Sequence, residues 1–231
     1  MEALDYVDRE SKERLQPSLT NPNWLVLRQR REIFRKWLNG VSGERLLVLD
    51  VGGRIQPYRA LLEGRLSGYW AVDIRQGPLV NVVAKGEAIP FKTECFDVVI
   101  CSQVLEYIPE PQIFIAEVHR VLKPQGHLLL SAPAVFPRDS DHDLWRFMPQ
   151  SLRLLLREFG SVQVVAEGSS LTAFFRMLAL YTVMFVRPEL LRMLVSMTLV
   201  PVFNILGAVL ERISATDNDQ FSANFSALAT K

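Results

Sequence analysis

A glycine pair and two aspartates carry the clearest chemical signal in this 231-residue chain. Asp50-Val51-Gly52-Gly53 closes a β-branched and leucine run, Leu46 to Val51, so backbone without side chains faces whatever binds beyond it. A helix N-terminus is expected to follow. Asp73 lies 23 residues after Asp50, at the end of the next apolar run, a spacing at which an acidic side chain accepts both hydroxyls of an adenosine ribose. Arg54 and Gln56 occupy positions where a pyrophosphate-binding Gly-x-Gly-x-x-Gly loop uses glycine, so NAD is disfavoured. A second cluster, Pro137 to Met148, holds Arg138, Asp139, Asp141, His142, Asp143, Trp145 and Arg146. Histidine is the side-chain type that titrates nearest neutrality, which makes His142 the candidate general base, with Asp141 or Asp143 to orient it. Arg146 suits a phosphate or carboxylate and Trp145 a sugar face. The structural alternative is that His142 caps or bridges a solvated loop, while Trp145 and Phe147 anchor the next helix. No His, Cys and acidic residues recur at metal-ligand spacing, so no metal is expected.

The elements that must position these residues are short. Apolar runs at Leu46 to Val51, Tyr69 to Ile74, Leu79 to Ala84, Phe96 to Val104, His127 to Ala134 and Val162 to Ala166 have the length of buried strands. Helical segments fall near Tyr58 to Leu62, Gln112 to Leu122 and after Pro149. Such alternation predicts a parallel sheet covered on both faces, with ligands outside the carboxyl ends of the strands. Phe221 to Thr230 alternates apolar and polar residues, the mark of a final strand. Ahead of the sheet, the first 22 residues read as a polar arm. Trp24, Leu27, Phe34, Trp37 and Leu38 then give a helix whose basic face carries Arg28, Arg30, Arg31, Arg35 and Lys36. Asn21 or Asn23 is expected to cap it and Gly40 to end it in a left-handed turn.

Composition narrows the classes. A net charge of +1 supplies no global field to gather nucleic acid, and 49% apolar against 22% charged residues excludes disorder. The cysteines Cys95 and Cys101 suggest no disulfide, and Met1 to Leu15 has no basic leader followed by an apolar stretch, so a reducing cytoplasm is expected.

The series LVLDVGG, AVDI, GEAIPF, FDVVICSQVLEYIPEP and HRVLKPQGHLLLSAP resembles the class I S-adenosylmethionine-dependent methyltransferases of the type 11 branch, over about residues 45 to 160. HDLWRFMPQSLRLLL further resembles small methyltransferases associated with glycan biosynthesis. The resemblance implies an α/β, Rossmann-like seven-stranded methyltransferase sheet and S-adenosylmethionine as cofactor. It implies that Asp50, Gly52 and Gly53 form the loop beneath the methionine moiety, that Asp73 holds the ribose and that Ile74 flanks the adenine. Glu87 and Ala88 would line the adenine edge, Ala88 through its backbone N–H. Ser102 and Gln103 would face the methionine end, and Tyr107 stands where many relatives have histidine. Two departures from the family pattern are Arg54, where glycine is usual, and Lys85, where aspartate is usual. Arg54 either pairs with the cofactor carboxylate or weakens affinity.

A stretch of some 50 residues before the last strand replaces the short hairpin that the family implies there. Met193 to Leu210 contains 18 uncharged residues, about enough at 1.5 Å per residue to near a bilayer's hydrocarbon thickness. A single crossing would strand the final strand on the wrong side, so interfacial helices or a shallow hairpin are expected, with Arg176, Arg187 and Arg192 facing anionic head groups. A homodimer interface and a hydrophobic lid are the other uses of such a surface. The expected organisation is an N-terminal arm and helix over 1–40, a cofactor-binding core over 41–170, an apolar helical insert over 171–213 and a returning strand within 214–231. The expected function is O-methylation of a glycan or lipid-linked saccharide by a cytoplasmic protein peripheral to the inner face of the membrane. The alternatives are methylation of a membrane quinone or other prenylated small molecule, and a catalytically silent adaptor.

Overall fold

The computed structural model describes residues 2–214 and 218–231. Residues 215–217 of the polar turn expected over Ser214 to Gln220 lie outside the described residues. Seven strands, β1 (Leu46–Val51), β2 (Leu66–Asp73), β3 (Val82–Val83), β4 (Phe96–Ser102), β5 (Leu122–Pro133), β6 (Ser161–Ala166) and β7 (Asn224–Thr230), form one sheet in the order β3-β2-β1-β4-β5-β7-β6. Pairing is parallel from β3 through β5, while β7 runs antiparallel between β5 and β6. The mixed sheet arises because β7 enters the gap between two strands already pointing the same way.

Alternate residues of each central strand reach opposite faces, and both faces are covered, which is why these strands read as continuous apolar runs. On one side Leu49, Val51, Val99, Cys101, Leu128 and Leu130 pack with Phe114, Ile115 and Val118 of α3 (Pro111–Val121) and Leu152 of α4 (Pro149–Leu155). On the other, Val48, Val98, Ile100 and Leu129 pack with Phe34, Trp37 and Leu38 of α2 (Trp24–Gly40) and with Tyr58 and Leu62 of a 3-10 helix, Pro57–Leu62.

Several local expectations change. The N-terminal arm is a helix, α1 (Glu2–Leu15), that buries Val7. Asn23 sits at the cap position of α2, but its side chain makes no cap bond; its Oδ1 accepts Arg176 Nε at 2.9 Å instead. Gly40 is the final helical residue, and the left-handed turn falls at Gly43, φ 113°. The basic face of α2 is broken by Arg30, which is buried with Leu25, Val26 and Phe34. After the glycine pair comes only the short 3-10 helix, not an α-helix.

The apolar insert is two helices, α5 (Ser170–Phe185) and α6 (Glu189–Ser214), packed as a hairpin between β6 and β7. Its base is fastened by polar contacts: Ser169 caps α5 and donates its backbone N–H to Glu211 at 2.8 Å, and Asn204 Nδ2 donates to the carbonyls of Leu19 and Asn21. Beyond that base, Phe185, Leu190, Met193, Leu194, Met197 and Val202 are exposed. Arg187 and Arg192 are exposed as well, whereas Arg176 is buried, so the expectation that it faces a membrane is corrected.

Candidate active site

The carboxyl ends of β1, β2 and β4 converge as the alternation predicted. Gly52 has φ 76°, and a Cβ there would meet Val104 Cγ2 at 2.2 Å, so only glycine fits between strand end and neighbouring loop. Four residues on, Gln56 adopts a left-handed backbone, φ 46° and ψ 49°. It is held there by its own side chain, which donates from Nε2 to the Leu79 carbonyl at 2.8 Å and accepts from Arg59 at 3.2 Å. The loop thus keeps a glycine-favouring shape with glutamine in place. Arg54 is exposed, and its stem lies toward Gly77 in the loop after β2.

Asp50 is buried under this loop and accepts the Tyr69 hydroxyl at 2.6 Å. Burial raises its carboxyl to about 7 despite that bond, and the nearby Asp73 adds to the rise. Asp73 ends β2 half-buried; Oδ1 accepts the Arg75 N–H at 2.8 Å, leaving Oδ2 for a ligand. Ile74 beside it is 64% exposed, a large apolar side chain uncovered at the mouth. Glu87 is half-buried. The Ala88 N–H donates to the Lys85 carbonyl at 3.1 Å, so its expected availability to an adenine edge is corrected: the turn consumes it.

At the end of β4, Ser102 Oγ lies 3.2 Å from the Tyr58 hydroxyl. Gln103 has φ 56°, a left-handed backbone uncommon for a side-chain-bearing residue, and donates from Nε2 to Ser131 Oγ at 3.1 Å. A 3-10 turn, Leu105–Tyr107, follows. Its Glu106 is buried, and among the described residues Oε2 has no hydrogen-bond partner. Burial lifts this carboxyl to about 7; its own backbone N–H, Arg30 and Arg146 oppose the rise, and Asp143 adds to it. Tyr107 donates to Asp139 Oδ2 at 2.7 Å; burial and that bond raise its phenol.

The loop expected to carry a base is held together differently from the sequence reading. His142 is exposed, and among the described residues its hydrogen bond is from its backbone N–H to Ser140 Oγ at 3.3 Å. Neither expected orienting carboxylate reaches it: Asp141 pairs with Arg138 at 2.8 Å, and Asp143 holds Arg146, with Nη2 to Oδ2 at 2.7 Å. The Arg146 bond keeps the Asp143 carboxyl below its ordinary range. Arg146 also donates to the carbonyls of Phe136 and Pro137, so it braces the loop rather than standing free as a clamp. Trp145 donates its indole N–H to the Ile108 carbonyl at 2.9 Å and leaves 43% of its surface exposed. Leu144 and Trp145 donate their backbone N–H groups to the Glu106 carbonyl, fastening this loop to the turn after β4.

Sequence reasoning missed a buried polar network at the β5–β7–β6 edge. Glu167, immediately after β6, is fully buried and takes Arg30 Nε on both oxygens at 3.0 and 2.9 Å. Ser131, Ser226 and Asn224 Nδ2 also donate to it. Burial alone would raise the Glu167 carboxyl, but Arg30 and the two hydroxyls more than offset it and hold it low. Through Ser131 the network reaches Gln103. The polar alternates of the final strand gave the available signal; they face this network instead of water. Arg176 lies beside it with Nη1 unpartnered among the described residues and its guanidinium 4.3 Å from the Phe136 ring.

Residues 49–130 match the family model described as a methyltransferase domain. A ubiquinone biosynthesis O-methyltransferase of Pseudomonas aeruginosa is 27% identical over 107 residues, 40% of this chain and 45% of that protein. A ubiquinone/menaquinone biosynthesis C-methyltransferase of Cronobacter sakazakii is 31% identical over 97 residues, 40% of this chain and 39% of that protein. The chain thus spans less than half the length of either curated relative. Among solved structures, a SAM dependent methyltransferase from Archaeoglobus fulgidus superposes with TM-score 0.53 at 16% identity, covering 95% of this chain and 97% of the other. The fold is the Rossmann-like methyltransferase fold. The strand ends fit S-adenosylmethionine where the structure tests them: a side-chain-free backbone required at Gly52 by its packing on Val104, a carboxylate oxygen left open on Asp73 and an uncovered apolar side chain at Ile74.

Proposed function

We infer that the protein is an S-adenosylmethionine-dependent methyltransferase acting on an oxygen of a lipid-anchored hydroxyl compound at a membrane surface. The observation that carries the cofactor is the side-chain-free backbone at Gly52 beside Asp73, inside the stretch that matches a methyltransferase domain. Asp73 Oδ2 would hold the ribose, Ile74 and Glu87 would border the adenine, and Gly52, Gly53, Ser102 and Gln103 would line the methionine end above Asp50. Bound S-adenosylmethionine supplies a methyl group on a sulfonium that is already a good leaving group. The chain's own work is therefore to align an acceptor, exclude water and take the acceptor's proton.

The surface of α6 supports the lipid-anchored class. Its apolar window has mean hydropathy 2.1 yet is only 17% buried, unlike a core helix, and Arg187 and Arg192 beside the hairpin turn complement anionic head groups of the inner leaflet. Among such acceptors, a prenylated aromatic hydroxyl has the support of the ubiquinone biosynthesis O-methyltransferase relative. A lipid-linked saccharide is the second reading, favoured by the exposed face of the Trp145 indole.

Calorimetric titration with S-adenosylhomocysteine tests the cofactor assignment. Wild-type protein should bind, and Asp73→Ala should lose about 30-fold or more in affinity with unchanged circular dichroism, as expected for losing charge-assisted hydrogen bonds. Undiminished affinity in the variant would remove Asp73 from the ribose. Wild-type protein that fails to bind at millimolar concentration would leave the adaptor reading in place of the enzyme.

A further inference from the structure

We propose that Glu106, rather than the histidine of the following loop, is the group that takes the proton from the acceptor hydroxyl; this rests on the methyltransferase reading above. Glu106 lies in the turn directly after β4, three residues beyond Gln103, at the ligand-facing ends of the strands. It is 4% exposed, and Oε2 has no partner among the described residues. A buried carboxyl oxygen without a donor is costly unless a ligand supplies one.

The neighbouring charges make Glu106 the base by elimination. The titratable and charged groups around it are Arg30 on α2, Cys101 on β4, Tyr107 in its own turn, and Asp143 and Arg146 in the loop after β5. Arg30 is committed to Glu167 and Arg146 to Asp143, so neither cation neutralises Glu106 by direct contact. The acids of the loop are equally committed: Asp139 to Tyr107, Asp141 to Arg138 and Asp143 to Arg146. Glu106 alone of these acids keeps a buried oxygen open. The loop closes over it through the bonds from Leu144 and Trp145 to its own carbonyl, which shields the proton transfer from bulk water. A carboxyl raised to about 7 also has the basicity that abstraction from a phenolic hydroxyl demands at neutral pH.

The step balances simply. The acceptor O–H bond breaks and its proton goes to Glu106 Oε2; the acceptor oxygen bonds to the methyl carbon as the carbon–sulfur bond breaks, and the sulfur keeps that electron pair. The proton on Glu106 then returns to solvent when the products leave.

The test uses a farnesyl-substituted catechol in phosphatidylglycerol vesicles as acceptor, with Glu106→Gln, Glu106→Asp and His142→Ala beside the wild type. Glu106→Gln should lower kcat by about 100-fold or more while S-adenosylhomocysteine affinity stays within about threefold. The acid limb of the wild-type pH profile should vanish in that variant, and Glu106→Asp should recover part of the rate. Retention of more than a tenth of kcat in Glu106→Gln, or a comparable loss confined to His142→Ala, overturns the proposal. A readout independent of turnover is infrared difference spectroscopy at pH 6 with S-adenosylhomocysteine bound. A protonated-carboxyl band missing from Glu106→Gln supports the assignment, and its absence from the wild type overturns it. Wild-type protein that binds S-adenosylhomocysteine and shows the band, yet methylates no catechol, refutes the prenylated-phenol acceptor and leaves the Glu106 assignment supported.

Discussion

Glu106 and Glu167 both follow the carboxyl end of a strand, both are buried, and they are buried on opposite terms. Glu167 is met by Arg30, Ser131, Ser226 and Asn224, so its charge is fully partnered and its carboxyl is held low. Among the described residues Glu106 Oε2 has no hydrogen-bond partner and no cation in contact, so burial prevails and its carboxyl rises to about 7. The difference lies in what each strand end meets. β6 and β7 bring their polar side chains together inside the sheet edge, whereas the turn after β4 buries Glu106 beneath the loop held by Leu144 and Trp145. A partnered buried charge specifies architecture; an unpartnered one at a ligand-binding strand end is available for chemistry.

The sharpest way to break the contrast is Glu167→Ala. It leaves Arg30 buried without its counter-ion and should destabilise the fold by about 3–5 kcal/mol in urea unfolding; a loss below about 1 kcal/mol would mean that Arg30 finds water or another partner.

The next effect is a pH dependence of opposite sign at the two sites. Between the ordinary carboxylate range and about 7, native Glu106 and Asp50 retain protons that the unfolded chain has released. Their contribution is therefore fully present below the unfolded values and is lost as pH rises through about 7, by at most about 4 kcal/mol for Asp50 and about 3.5 kcal/mol for Glu106. Glu167 acts in reverse: its contribution is present above the ordinary glutamate value of 4.5 and disappears as pH falls through its lowered value. Chemical denaturation from pH 4 to 8 should show a shallower decline in Glu106→Gln than in wild type, and identical slopes would mean that Glu106 is already ionised in the native state.

The smallest expected stability change belongs to the hairpin. Leu194→Asp with Met197→Asp alters exposed positions and should shift unfolding by less than about 0.5 kcal/mol, while co-sedimentation with phosphatidylglycerol vesicles should fall to background. Unchanged sedimentation would assign the apolar face to another partner, and a concentration-dependent dimer in ultracentrifugation would identify a second copy.

The central strands were legible because two-sided burial writes itself as continuous apolar runs, and the same runs place Gly52 and Asp73 at strand ends. The Arg30–Glu167 pair was not, since its members are 137 residues apart and Arg30 lies among surface arginines of the same helix. The loop around His142 misled for a related reason. Composition gathered its acids and bases, but pairing at a spacing of three residues, Arg138 with Asp141 and Asp143 with Arg146, spent the carboxylates before histidine could use them. Glu106 carried no such signal, because burial without a partner leaves no trace in a linear pattern.

The place of β7 in the sheet also orders events during synthesis. Among the described residues β6 pairs with β7 alone, and β7 follows the hairpin in the chain. While the ribosome is still making the closing strand, α5 and α6 have already been translated, and the slot between β5 and β6 stands open. The antiparallel edge therefore forms last, and the chain between β6 and β7 must fold back as the α5–α6 hairpin before the sheet is complete.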